Sequence, residues 1–119
     1  MGYREELESL GINVAEGIDR VMGDEDFYET MLGIFVDTVN ENKIFLEEFE
    51  KDDLEDLTGR VHMMKGMTGN LSITPLFNAY MEVLVLLRAN KPKEAGEAMA
   101  KLLPVQAKIV ECIEKHRTA

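Results

Sequence analysis

Cysteine, proline and long apolar runs are scarce in this chain, and tryptophan is absent. The single cysteine, Cys112, has no internal disulfide partner. The longest apolar run, VLVLL at residues 83–87, has five residues, whereas a membrane-spanning helix needs about 20. The start, MGYREELESLG, lacks the apolar core of a secretory signal peptide. These absences predict a cytoplasmic protein without a membrane span.

Basic residues are also few. The 119 residues include 23 Asp and Glu against 13 Lys and Arg, for a formal net charge of −10, and no dense basic cluster is present. We therefore expect neither nucleic acid nor an anionic membrane as a partner. Hydrophobic residues make up 45% of the chain, enough for a folded core. Without repeats or low-complexity tracts, residues 1–119 are expected to form one domain.

What the chain does have is apolar residues at helical spacing from end to end, which predicts an all-α fold. A short first helix is expected over about residues 14–22, with Asn13 as its cap, Glu16 in a capping box and Gly23 as its stop. Four longer helices are predicted over about residues 24–50, 54–71, 74–89 and 92–116. We expect an antiparallel four-helix bundle with the short helix covering one end.

Two details of these helices can be checked directly. Pro104 lies inside the last one and is expected to kink or divide it. The helix over residues 24–50 is expected to bury one apolar stripe. That stripe comprises Phe27, Met31, Ile34, Phe35, Thr38, Phe45, Leu46 and Phe49.

The helix over residues 54–71 carries one of the two histidines of the chain, within VHMMKGMTGNLS. On a helical wheel at about 100° per residue, its apolar positions centre roughly 160° away from His62. These positions are Leu57, Val61, Met64, Thr68 and Leu71, with Met67 just beyond. We therefore expect His62 to face solvent.

Three glycines, Gly59, Gly66 and Gly69, lie within about 60° of His62 on the same wheel. Each glycine inside a helix costs about 1 kcal/mol relative to alanine. On a solvent-facing side, this cost indicates that a second molecule approaches the backbone around the histidine. The alternatives are that the glycines are incidental, or that a neighbouring helix crosses closely. Met63, about 100° from His62, is either core filler or part of an apolar docking rim.

His62 has the chemistry to carry a covalent group. A neutral imidazole leaves one ring nitrogen free to attack phosphorus. Lys65, one turn further along, is placed to supply positive charge to a phosphoryl group on His62. The simpler alternatives are an ordinary surface histidine and a solvated lysine.

Other candidate sites are weaker. The chain has no glycine-rich nucleotide loop. The acidic run at residues 47–53 lacks the spacing of a calcium loop and is interpreted as a solvated face. Cys112 and His116 have no second pair to complete a zinc site. We expect no cofactor and no metal.

Taken together, His62-x-x-Lys65-Gly66 resembles the H-x-x-K-G motif of histidine-containing phosphotransfer (HPt) domains. The segment GINVAEGIDRVMGDEDFYETMLGIFVD is similar to the opening of such domains, so the resemblance covers most of the chain. The chain differs from the family pattern in having Leu71-Ser72-Ile73 where leucine-glycine-alanine is usual, and in carrying Gly69.

This resemblance implies a phosphocarrier of a two-component phosphorelay. His62 would exchange a phosphoryl group with the aspartate of a response-regulator receiver domain, Lys65 would be its charge partner, and Gly66 would give the receiver room. Gly59, Met63 and Gly69 are the other expected docking positions. The catalytic aspartate and magnesium would come from the partner, so the chain is not expected to be an enzyme in its own right.

Two alternatives stay open on the sequence. An HPt-like adaptor would dock a receiver or a hybrid histidine kinase without phosphotransfer. A structural bundle would self-associate through its methionine-bearing face, whereas the phosphocarrier is expected to be a monomer.

Overall fold

In the computed structural model, which describes residues 2–118, that part of the chain is helical with connecting turns and contains no strand. The α-helices are α1 (Tyr3–Ser9), α2 (Val14–Arg20), α3 (Glu25–Glu41), α4 (Glu55–Asn70), α5 (Thr74–Arg88) and α6 (Pro92–Arg117). A 3-10 helix, Leu46–Glu50, lies between α3 and α4. The predicted all-α class is confirmed.

The N-terminal part contains two short helices, of which only α2 was predicted. The α2 prediction is confirmed in its cap, because Asn13 Oδ1 accepts a 3.1 Å hydrogen bond from the Glu16 amide. Gly23 follows the helix with a φ of +82°, a left-handed conformation that suits glycine. Helix α1 packs against α6 and buries Leu7, so its stability derives from tertiary contacts rather than from a sequence signal.

The predicted helix over residues 24–50 is wrong in its second half. Helix α3 ends at Glu41, and residues 42–45 are not helical. The chain turns there to bury Ile44 and then Phe49, which lies against Gly96 of α6. Burial of these two side chains is favourable enough to override continued helix propensity.

The predicted buried face of α3 is also partly wrong. Phe27 and Ile34 are 49% and 43% exposed, and Phe45 and Leu46 of the next segment are exposed as well. The side chains that α3 buries are Tyr28, Leu32, Phe35 and Val36. Apolar residues occur on two sides of this helix, and the buried side is the one that meets α6.

Helices α4, α5 and α6 match their predicted ranges. Helix α4 packs on α5, α5 packs on α6, and α6 packs on α3. Helix α6 runs continuously through Pro104, so the proline does not divide it. Within residues 2–118, no helix combines the length and the apolar character that crossing a bilayer requires.

Candidate functional site

Helix α4 has the orientation that its periodicity predicts. Its buried residues are Leu57, Val61, Met64 and Thr68, and Leu71 directly after it is also buried. His62 is exposed, as expected for a side chain opposite this face. The imidazole is therefore open to a second molecule.

Two of the predicted glycines leave the backbone beside His62 uncovered. A Cβ atom added at Gly59 or at Gly66 would meet nothing within 4 Å among residues 2–118, apart from its chain neighbours and the backbone of its own helix. Met63 is 39% exposed and lines an open groove of about 550 Å³ together with Gly59 and Asn42. The histidine is thus surrounded by small or accessible groups along about two turns of α4.

Gly69 is different from the other two glycines. A Cβ atom at this position would lie 2.9 Å from Cδ1 of Phe77 on α5. This is closer than a side chain can be without displacing the ring. The close crossing of α4 and α5 is sufficient to explain Gly69, which matches the alternative that a neighbouring helix crosses closely there.

Lys65 lies one turn from His62 and is half-buried. Among the described residues, its ammonium group forms no ion pair within 4 Å. Its backbone is held from inside the helix, because the hydroxyl of the buried Thr68 donates to the carbonyl oxygens of Met64 and Lys65, at 2.8 and 3.0 Å. The lysine head is therefore available to an incoming anion.

Arg60 anchors the other side of α4, and sequence reasoning missed it. Its guanidinium binds the carboxylates of Glu48 and Asp56 and donates to the Lys43 carbonyl oxygen at 3.3 Å. The hydrogen bond from Arg60 lowers the pKa of Glu48, and the same contact raises the pKa of Arg60. The contact explains how the non-helical segment after α3 is held against the histidine helix. The only sequence signal is the i, i+4 spacing of Asp56 and Arg60.

The end of α4 is clamped by the N-terminal helices. The hydroxyl of Ser72, whose φ is +57°, donates to Glu16 at 2.7 Å and accepts from Nε of Arg20 at 3.2 Å. The Asn13 amide donates to the Ser72 carbonyl oxygen at 3.0 Å. Glu16 thus reaches across to Ser72 and does not close the predicted capping box, and its pKa is lowered chiefly by the Ser72 hydrogen bond.

The second histidine, His116, contacts residues of two other helices. The ring of His116 stacks on that of Tyr3 with centroids 3.7 Å apart and planes within 4° of parallel. Its Nε2 atom lies 2.5 Å from a carboxylate oxygen of Glu29. His116 therefore joins α6 to α1 and α3, whereas no ion pair of His62 occurs within residues 2–118.

The exposed face of α4 presents the imidazole of His62 and the ammonium group of Lys65, with the uncovered backbone of Gly59 and Gly66 on either side. This set can accept or donate a small charged group when another protein supplies the reacting partner. Comparison with protein-family models, with curated proteins and with solved structures finds no match to this chain.

Proposed function

We propose that the chain is a histidine phosphocarrier of the HPt type, acting in a two-component phosphorelay. The observation that carries the proposal is the exposure of His62 between two glycines that no other part of the described chain, residues 2–118, covers within 4 Å. A receiver domain must bring its aspartyl phosphate into contact with the imidazole, and side chains at Gly59 and Gly66 would stand in its way. The His62-x-x-Lys65-Gly66 resemblance points to the same function.

The transfer is a substitution at phosphorus. The unprotonated ring nitrogen of His62 attacks the phosphorus of the aspartyl phosphate, forming an N–P bond as the P–O bond to the aspartate breaks. The bonding electron pair leaves with the carboxylate. The proton already on the other ring nitrogen stays there or passes to water. The reverse step returns the phosphoryl group to an aspartate.

Lys65 has the role of charge partner for the phosphoryl group, because such transfers depend on positioning and charge neutralisation. Gly66 provides clearance for the receiver, and Gly59 and Met63 belong to the docking surface. Gly69 is a less accessible part of that surface. The receiver or a hybrid histidine kinase supplies the magnesium and the aspartate, so the chain is a modified carrier rather than an enzyme.

The proposal includes a finer description of the fold. Helices α3, α4, α5 and α6 are the four antiparallel helices of an HPt-type bundle, and α1 and α2 are additional N-terminal helices. The packing of α4 on α5, α5 on α6 and α6 on α3 supports this arrangement. We further propose that the protein is monomeric and cytoplasmic.

The test is incubation with a panel of receiver domains carrying labelled aspartyl phosphate. We expect an acid-labile, base-stable phosphate on the wild-type chain and none on His62→Gln. His116→Gln is the matched control, because His116 is the other of the two histidines, and it should be labelled like the wild type. Label on His62→Gln would place the acceptor elsewhere. Normal receiver binding with no transfer to the wild type would identify the non-phosphorylated adaptor instead.

A further inference from the structure

Helix α3 carries a second apolar surface that its own fold does not cover. Phe27 and Ile34 are 49% and 43% exposed, and Met31 and Thr38 between and beyond them are half-buried. On a helical wheel these four residues fall within about 60° of one another. We call them the outer stripe; they are distinct from the core face of Tyr28, Leu32, Phe35 and Val36.

The spacing of the outer stripe fits a helix as the covering element. Its members occur at positions i, i+4, i+7 and i+11, which is the repeat by which an amphipathic helix meets another helix lengthwise. Phe27 and Ile34 are two turns apart, roughly 10 Å along the axis. A partner helix of about three turns would cover both side chains together with Met31.

The charge of α3 indicates what kind of partner helix would fit the outer stripe. The sequence of α3, EDFYETMLGIFVDTVNE, contains five acidic residues and no lysine or arginine. Asp26, Asp37 and Glu41 follow one flank of the outer stripe, within about 100° of Phe27. Asp37 is paired with Arg117. No ion pair of Asp26 or Glu41 occurs among the described residues.

These charges argue against a second copy of the chain as the occupant. An antiparallel pair of α3 helices meeting along the outer stripe would place acidic flanks against each other, with Arg117 beside Asp37 as the basic residue paired there. Like charges opposed in this way destabilise an interface, and the net charge of −10 on each copy adds to the repulsion. A helix bearing lysine or arginine beside its apolar residues would instead gain from the same charges.

The C-terminal end of the outer stripe lies near the open groove beside His62. Asn42, one turn beyond Thr38, lines the open groove that contains Gly59 and Met63 of α4. The same groove has Asp53, Glu55 and Asp56 at its edge, with Arg60 as its basic residue. A partner that extends past the end of α3 would therefore meet these acidic groups as well.

We infer that the outer stripe is a docking site for a basic amphipathic helix of a partner protein. The apolar residues of that helix would cover Phe27, Met31 and Ile34, and its lysines or arginines would face Asp26 and Glu41. The inference goes beyond the phosphocarrier function, because it needs neither phosphorylation nor the imidazole of His62.

The test uses two labelled 18-residue synthetic helical peptides with leucine at positions i, i+4, i+7 and i+11. One has lysine beside the leucines and the other has glutamate. Binding is followed by fluorescence anisotropy at several salt concentrations, with the full chain. We expect the lysine peptide to bind, with affinity that falls as salt rises, and the glutamate peptide to bind at least tenfold more weakly.

Variants localise the binding. Phe27→Ser with Ile34→Ser should weaken the lysine peptide at least tenfold, and Asp26→Asn with Glu41→Gln should reduce its salt dependence. Val85→Ser with Val105→Ser is the matched control, because these valines are 56% and 40% exposed on other helices, and it should bind normally. Melting curves verify that each variant is folded.

The possible results separate this inference from the phosphocarrier proposal. His62→Gln should bind the lysine peptide like the wild type, even if phosphotransfer to the wild type is never observed. The inference would be overturned if Phe27→Ser with Ile34→Ser bound the lysine peptide as tightly as Val85→Ser with Val105→Ser does. It would also be overturned if the wild type bound the two peptides equally. A dimer in sedimentation that Phe27→Ser with Ile34→Ser abolishes would identify a second copy as the occupant, contrary to the charge argument.

Discussion

The phenol of Tyr28, near the start of α3, donates a 2.7 Å hydrogen bond to the carbonyl oxygen of Leu71, directly after α4. Both residues are buried. The last carbonyl groups of a helix have no partner within the helix, and Tyr28 satisfies this one from 43 positions away in the sequence. Burial raises the pKa of Tyr28 to about 12. The end of the histidine helix is thus held by a side chain of α3.

The first prediction concerns this hydrogen bond. Tyr28→Phe should lower the free energy of unfolding by about 1–3 kcal/mol, because it leaves the buried Leu71 carbonyl without its partner. The measurement is urea unfolding at neutral pH. Tyr3→Phe is the control, since it keeps the ring that stacks on His116, and its effect should stay within about 0.5 kcal/mol. Equal effects of the two substitutions would contradict the assignment.

The second prediction uses the difference among the glycines of α4. Gly59→Ala and Gly66→Ala should each raise the free energy of unfolding by about 0.5–1 kcal/mol, because alanine favours the helix and the added methyl meets open space. Gly69→Ala should lower it by about 1 kcal/mol, because the methyl would collide with Phe77. Urea unfolding of the three variants measures the predicted increase and the predicted decrease in the free energy of unfolding. Stabilisation by Gly69→Ala would show that Phe77 moves aside at little cost.

The third prediction separates stability from function at the same helix. Gly66→Gln should leave the chain folded, because the position is exposed, but should slow phosphotransfer from a receiver by obstructing its approach. The rate of labelling of His62 measures the effect, and Lys101→Gln, at an exposed position of α6, is the control. Unchanged transfer in Gly66→Gln would remove the clearance role from Gly66.

The fourth prediction concerns Lys65. Replacing it with alanine should slow phosphotransfer to His62 roughly 10-fold or more, because a charge-assisted hydrogen bond contributes about 1.5–3 kcal/mol. Lys101→Ala removes the same charge from an exposed position of α6 and should transfer normally. If both variants are slowed alike, the effect of Lys65 is one of net charge and not of position.

The fifth prediction is a pH dependence. The pKa of Glu48 is lowered in the folded chain, chiefly by Arg60. As the pH falls below the ordinary glutamate value of 4.5, the unfolded chain binds the proton first. The stabilisation is therefore complete at neutral pH and is lost as the pH falls through the lowered folded value. Glu48→Gln should cost about 1–3 kcal/mol at pH 7 and less at acid pH.

Unfolding measured from pH 7 to pH 3 tests this dependence. Glu47→Gln is the matched control, because Glu47 is an exposed neighbour outside any ion pair of the described residues. A cost of Glu48→Gln that stays constant across this range would show that its charge is not the stabilising feature.

The orientation of α4 was predicted better than that of α3. The apolar period of one helix defines its buried side, and it placed Leu57, Val61 and Met64 in the core and His62 in solvent, as the structure has them. The same reasoning could not assign a neighbour to each residue. Gly59 and Gly69 both lie on the His62 side of the helical wheel, yet of these two, among the described residues, a methyl group at Gly69 alone would meet a ring from α5.

On its own, the sequence determined the helical class, the approximate ranges of α2, α4, α5 and α6, and the outward direction of His62, because these follow from local periodicity and caps. Only the tertiary structure decided that α3 ends at Glu41, that α1 forms, and that Phe27 and Ile34 stay exposed. Helix α3 has apolar residues on two sides, and burial of Ile44, Phe49 and Leu7 depends on helices far away in the sequence. Packing energy from distant residues selects between such alternatives, and local periodicity contains no information about it.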